Sequence, residues 1–186
     1  MKHKAYGFTI VELLIVIVVI GILAAISVVT YNGIQDRAND TLLRESAQKL
    51  SKAYKLYMAE TGGNPRELNC GHNDNGIGFI QYTDGDSGLY AGETCISILA
   101  NMGYLPENFT DSIPVGTSWI SNRKDRTYMV EGCSTRSNAI ALLWYVKEPS
   151  DAETAQLEST RQQCRGGSTP LSYATYGMTA GEYFEW

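Results

Sequence analysis

The sequence predicts an α+β fold: one long N-terminal α-helix, transmembrane in its first half, packed by its second half on an antiparallel β-sheet head. Three observations carry this expectation. Phe8 to Val29 (FTIVELLIVIVVIGILAAISVV) is apolar on every face. Asn39 to Glu60 repeats apolar residues at helical spacing. Beyond Gly103, short β-branched and aromatic stretches separated by turn residues suit a half-buried pleated surface.

The chain has 186 residues, 44% of them hydrophobic and 19% charged, enough for one modest head domain and one accessory segment. Its formal net charge of -5 gives no bulk attraction for nucleic acid or anionic lipid. Loss of Lys2 and Lys4 with a leader would make the balance more negative still.

Met1 to Gly7 (MKHKAYG) is short and basic, and Lys2 and Lys4 hold this end in the cytoplasm by the positive-inside rule. The apolar run that follows reaches about 33 Å as a helix, enough to cross a bilayer core. An ordinary signal peptide needs a small-residue cut site after its core, and Ala24-Ala25-Ile26-Ser27 is a poor one. A buried helix of a soluble domain would show a polar stripe, which is missing here. A plain membrane anchor fits the length but gives no reason for Glu12, the one ionisable side chain in the run. A carboxyl group inside a membrane span is costly and marks a partner or a pathway.

Gly7-Phe8-Thr9-Ile10-Val11-Glu12-Leu13-Leu14 resembles the processing site of type IV prepilins. The run through Gly21-Ile22-Leu23-Ala24-Ala25-Ile26 to Tyr31 is similar to the same family, and the resemblance covers about the first third of the chain. It implies that a membrane prepilin peptidase cuts between Gly7 and Phe8 and methylates the new amine of Phe8. It also implies that Glu12 docks the subunit into a growing filament. The partners implied are other pilin subunits in a helical homopolymer, the prepilin peptidase, a pilus assembly platform and the membrane. Before assembly the chain would lie in the cytoplasmic membrane, N-terminus inside and head outside; afterwards it would lie in an extracellular pilus. Val29 departs from the family, many of whose members carry proline there. The segments expected are a leader at 1–7, a membrane and filament-core helix at 8–29, an amphipathic continuation at 30–62 and a head at 63–186. Elementary geometry is consistent with the docking role: about 6 Å of helical rise separates the Phe8 amine from Glu12. The carboxylate can neutralise that amine or a neighbour's, and either charge alone in an apolar layer is penalised.

From Asn39 onward, Leu43, Ala47, Leu50, Tyr54, Tyr57 and Met58 form the apolar stripe. The alternative is a break at Tyr31-Asn32-Gly33, giving two helices. Thr61-Gly62-Gly63-Asn64-Pro65 ends the helix. Asn69 to Gly92 reads as a long loop between Cys70 and Cys95, and a short helix follows over Cys95 to Met102. Strands are expected at Ser118 to Ser121, Thr127 to Glu131 and Ala139 to Lys147, in an antiparallel meander. Ser150-x-x-Glu153 is a capping-box signature for a helix running to about Gln163, stopped by Gly166-Gly167. The final aromatic stretch, with Tyr173, Tyr176, Tyr183, Phe184 and Trp186, is expected to fold back onto the sheet.

The four cysteines are widely spaced, without a C-x-x-C pair, and lie beyond a membrane-spanning run. Disulfides formed outside the cytoplasm suit them better than zinc. Four cysteines allow three connectivities, and chain layout favours neighbours: Cys70 with Cys95 and Cys133 with Cys164.

No catalytic motif is present: no G-x-S-x-G elbow, P-loop or H-E-x-x-H, and His72 is the lone histidine outside the leader. No catalytic residue, cofactor or metal is therefore assigned. Asp84, Asp86 and Glu93 miss the spacing of an EF-hand and read as a solvated acidic loop. Arg123, Lys124 and Arg126 flank Asp125 and read as a hairpin tip, so DNA or a host surface as partner has no support. The functional expectation is a structural pilus subunit serving adhesion, motility or DNA uptake. The alternatives are a pseudopilin of a type II-like secretion system and a minor tip pilin.

Overall fold

A computed structural model describes residues 9–68, 70, 78–79, 94–109, 128–166 and 178–186. The chain divides into two compact units, Met1–Ala38 and Asn39–Trp186. Among the described residues eight elements follow in order: α1 (Ile10–Thr61), a single 3₁₀ turn (Pro65–Leu68), β1 (Gly78–Phe79), α2 (Cys95–Asn101), β2 (Tyr128–Gly132), β3 (Ala139–Trp144), α3 (Asp151–Arg165) and β4 (Ala180–Glu185).

The described part of the first unit is helical from Ile10, with its large apolar side chains exposed, among them Val11, Leu14, Ile17, Ile22 and Ile26. Two of its hydroxyls are satisfied within the helix. Ser27 Oγ donates to the Leu23 carbonyl at 2.8 Å and Thr30 Oγ1 to the Ile26 carbonyl at 2.9 Å, the back-bonding that suits such side chains to an apolar setting. The Tyr31-Asn32-Gly33 break does not occur; α1 is one element across it. A helical glycine costs only about 1 kcal/mol, which a 52-residue helix absorbs.

In the second unit, Leu43, Ala47, Leu50, Tyr54 and Tyr57 are buried on one face of α1, and Met58 is partly buried beside them. They meet Tyr128, Val130, Ile140, Leu142 and Phe184 from one side of the sheet. The other side carries Met129, Ala139, Ala141 and Leu143, which pack with Leu157 and Cys164 of α3. β3 is covered on both faces, which is why AIALLW reads as an unbroken apolar run rather than an alternation. Gly181 on β4 answers the same crowding: a Cβ there would stand 2.6 Å from Leu143 Cδ2 and 3.1 Å from Leu157 Cδ1.

Among the described residues the sheet has four strands in the order β1-β2-β3-β4, every neighbouring pair antiparallel. Its order follows the chain, but α2 lies between β1 and β2 and α3 between β3 and β4, so β2–β3 alone is a close hairpin among the described residues. The Ala139 to Lys147 expectation is too long. β3 stops at Trp144 because the backbone beyond it bonds elsewhere: Val146 N–H donates to Thr179 Oγ1 at 2.8 Å, and Lys147 and Glu148 N–H each donate to Asp40 at 2.9 Å. The Asn69 to Gly92 loop contains β1, and the aromatic C-terminus is a strand paired along β3. β2 begins at Tyr128 and ends at Gly132, and α2 ends at Asn101, ahead of a positive-φ Gly103. The expected strand at Ser118 to Ser121 lies outside the described residues.

α3 opens with a complete capping box, Ser150 Oγ taking Glu153 N–H while Glu153 takes Ser150 N–H. Gly166 closes it at φ 64°, a left-handed position that favours glycine. Polar contacts along the stripe fix the register of α1 on this unit. Tyr128 Oη donates to the Leu43 carbonyl at 3.0 Å, and Ser51 Oγ and Lys55 Nζ each donate to Glu182 at 2.7 Å. Arg44 Nε donates to Glu153 at 2.7 Å and Arg44 Nη2 to the Glu148 carbonyl at 2.8 Å.

Candidate processing and assembly segment

Gly7 and Phe8, the expected cleavage and methylation positions, lie outside the described residues. Thr9 is the first described residue and Glu12 stands in the first turn of α1. Thr9 N–H donates to Glu12 Oε2 at 2.8 Å and Thr9 Oγ1 to the same oxygen at 2.7 Å, while Glu12 N–H donates to Thr9 Oγ1 at 3.3 Å. This is a reciprocal cap, satisfying donors that a helix start leaves orphaned. Thr9-x-x-Glu12 carries the same signature as Ser150-x-x-Glu153, and the sequence reading used only the second. The cap sits at the start of an apolar run, where the charge of Glu12 is conspicuous and its spacing to Thr9 is not.

The consequence is chemical. Among the described residues, Thr9 is the sole partner of the Glu12 carboxylate. Its bonds come from neutral donors, which leaves its negative charge uncompensated by any cation of those residues. The side chain is exposed and ringed by exposed Val11, Leu13 and Leu14. A carboxylate so placed can hold an ammonium group brought to it within an apolar layer.

Two disulfides occur in the second unit, and they join Cys70 to Cys95 and Cys133 to Cys164, at sequence separations of 25 and 31. The first ties the segment after the 3₁₀ turn to the opening residue of α2. The second ties the residue after β2 to the last turn of α3. The α3 terminus has further partners there: Ser134 N–H donates to the Cys164 carbonyl at 3.0 Å and Thr135 Oγ1 to the Gln163 carbonyl at 2.6 Å.

His72, the acidic loop of Asp84, Asp86 and Glu93, and the basic cluster of Arg123, Lys124 and Arg126 all lie outside the described residues. Among the described residues no group of three or more His, Cys, Asp or Glu side chains could hold a metal ion.

Residues 2–28 match the family described as the prokaryotic N-terminal methylation motif. The chain is also similar to the type IV narrow pilus major component PilA5 of Thermus thermophilus. The identity is 40% over 62 residues, covering 33% of this chain and 53% of that protein. The chain thus spans about half the length of this curated relative. No solved structure matches the chain.

Proposed function

We propose that this chain, whose N-terminal segment is of the type IV pilin family, is a structural subunit of a type IV pilus and not an enzyme. In this reading a prepilin peptidase cuts between Gly7 and Phe8 and methylates the Phe8 amine. The subunit waits in the cytoplasmic membrane by its apolar helix, head outside, and an assembly platform passes it to an extracellular filament. One observation carries the reading: residues 10–29 of α1 are apolar on all faces and bear a single carboxylate, Glu12, in the first turn. An anchor alone explains the apolar faces but not the carboxylate. Docking explains both, since a neighbouring subunit supplies apolar surface and a Phe8 amine together.

The test is Glu12→Gln. Glutamine keeps the amide oxygen that accepts from Thr9, so the cap survives while the charge goes. An unpaired amine in an apolar filament core costs several kcal/mol, of order 3 to 5 when one partner of a buried pair is removed. The expected outcome is cleaved, membrane-resident protein with few or no surface filaments, read by electron microscopy beside immunoblots of total and processed chain. Near-normal filament numbers with efficient cleavage would refute the docking role. The pseudopilin and tip-pilin alternatives predict that this chain is absent or rare in sheared filaments; the proposed subunit dominates them.

A further inference from the structure

Among the described residues β4 is an edge strand of the sheet, and half of its backbone faces away from β3. Trp186 N–H donates to the Asn138 carbonyl at 3.1 Å, in line with the Ile140–Phe184 and Leu142–Glu182 pairing. Alternation in an antiparallel ladder then turns the backbone groups of Gly181, Tyr183 and Glu185 outward. Thr160 Oγ1 donates to the Gly181 carbonyl at 3.3 Å, which fits that assignment. The Tyr183 and Glu185 backbone groups have no such partner among the described residues. Beside this stretch lies a pocket of about 340 Å³, lined by Lys55, Met58, Ala59, Gly62, Glu185 and Trp186. It lies on the α1 side of the sheet, where Trp186 and Phe184 point.

We infer that the Tyr183–Glu185 edge and this pocket together form a docking site for an extended segment of another protein, added as a further strand. The reading goes beyond filament formation and rests on the head alone. Outward N–H and C=O groups in ladder spacing are matched by another extended backbone, which is how edge strands capture peptides. The pocket takes one large apolar side chain of that segment. Charge sets the rest of its chemistry. Glu182 is paired with Lys55 and Glu185 with Arg136, so the rim carries no net charge from these groups and favours an uncharged segment. A second copy pairing through its own β4 does not satisfy the site. Glu182 of that copy is engaged by Ser51 and Lys55, Phe184 is buried, and Trp186 lines its own pocket. None is left to enter the neighbour's pocket.

The probes are end-capped heptapeptides of alternating Thr and Val with Leu, Phe, Trp or Asp at the centre, added to the full chain in detergent. Amide exchange at Tyr183 and Glu185 is the readout. The apolar-centred peptides should slow exchange at both amides at least tenfold, and the Asp-centred peptide should fall at least tenfold short of them. Ala59→Phe fills the pocket and should abolish the difference between apolar and Asp centres. Tyr183→Pro removes an outward N–H along with the tyrosine side chain, a change that edge strands tolerate, and should remove the protection read at the Glu185 amide. Should that variant misfold, Ala59→Phe decides alone. Equal protection by all four peptides overturns the inference, as does none. Protection that rises with protein concentration and without peptide overturns it in favour of self-pairing.

Discussion

Tyr54 is fully buried on the packed face of α1, and its hydroxyl has no hydrogen-bond partner among the described residues. Tyr128 is as deeply buried, yet its hydroxyl reaches the Leu43 carbonyl. The two phenols therefore predict opposite outcomes for the same substitution. An unsatisfied buried polar group costs about 1 to 3 kcal/mol, so Tyr54→Phe should leave stability unchanged or raise it by about 1 kcal/mol. Tyr128→Phe gives up a bond and should cost about 1 kcal/mol. Denaturant unfolding of the full chain in detergent measures both; a loss above about 1 kcal/mol for Tyr54→Phe would show that its hydroxyl has a partner after all. At this scale the sequence was legible where a side chain conflicts with its surroundings. Glu12 stands out as the one ionisable side chain of an apolar run. Thr9 does not, since a threonine in an apolar helix is unremarkable until its spacing to Glu12 is counted.

At the scale of elements, legibility tracks how much of a period a segment can display. The α1 stripe repeats over about four turns, so Leu43 through Tyr57 could be assigned from spacing alone. β3 is apolar throughout and bounded by turns, which identifies it although its end shifts. β4 shows neither signal. In AGEYFE, Glu182 and Phe184 point to the α1 side while Tyr183 and Glu185 point to the α3 side, so polar and apolar residues mix on both faces. β1 is two residues long and has no period to read. Which cysteines meet is a matter of elements too. The Cys133–Cys164 bridge closes a separation of 31 residues around β3 and α3, and the chain-entropy account gives roughly 3 to 4 kcal/mol for such a loop. Cys133→Ser with Cys164→Ser should therefore lower unfolding free energy by about that much. Exchange at the α3 amides should rise more than at those of α1, because α3 loses its covalent tie at the C-terminal end and is left there with hydrogen bonds from Ser134 and Thr135 and the Arg165–Glu131 pair. Uniform loosening of both helices would count against the bridge as a local clamp.

For the whole molecule, titration shows which contacts hold the head together. Burial pushes the Glu153 carboxyl up, but Arg44 and the Ser150 donors outweigh it, and the group stays below its ordinary value of 4.5. The Glu158 carboxyl, bonded by Arg161, is held down at about 2, but it is fully exposed and contributes little to folding. A depressed carboxyl stabilises above the unfolded pKa, and that contribution fades as pH falls through the folded one. The acid limb thus begins below about pH 4.5 and belongs chiefly to Glu153, whose protonation loosens α3 from α1. The alkaline limb has a different owner. Burial raises both Tyr54 and Tyr128 well above the ordinary value of 10.0, opposed at Tyr128 by a hydrogen bond from Ser46. A raised phenol stabilises fully below its unfolded pKa, and the contribution is lost as pH climbs from there towards the folded value. Two buried phenols against one part-buried carboxylate make the alkaline limb the steeper. Melting temperature across the pH range should therefore be flat near neutrality and fall faster above pH 10 than below pH 4.5. Replacing Tyr54 and Tyr128 together by Phe should flatten the alkaline limb and leave the acid limb in place. Tyrosinate absorbance supplies the control: in the native protein these two phenols should ionise only as the fold opens. An alkaline limb that persists unchanged in the double variant would show that these two phenols do not own it.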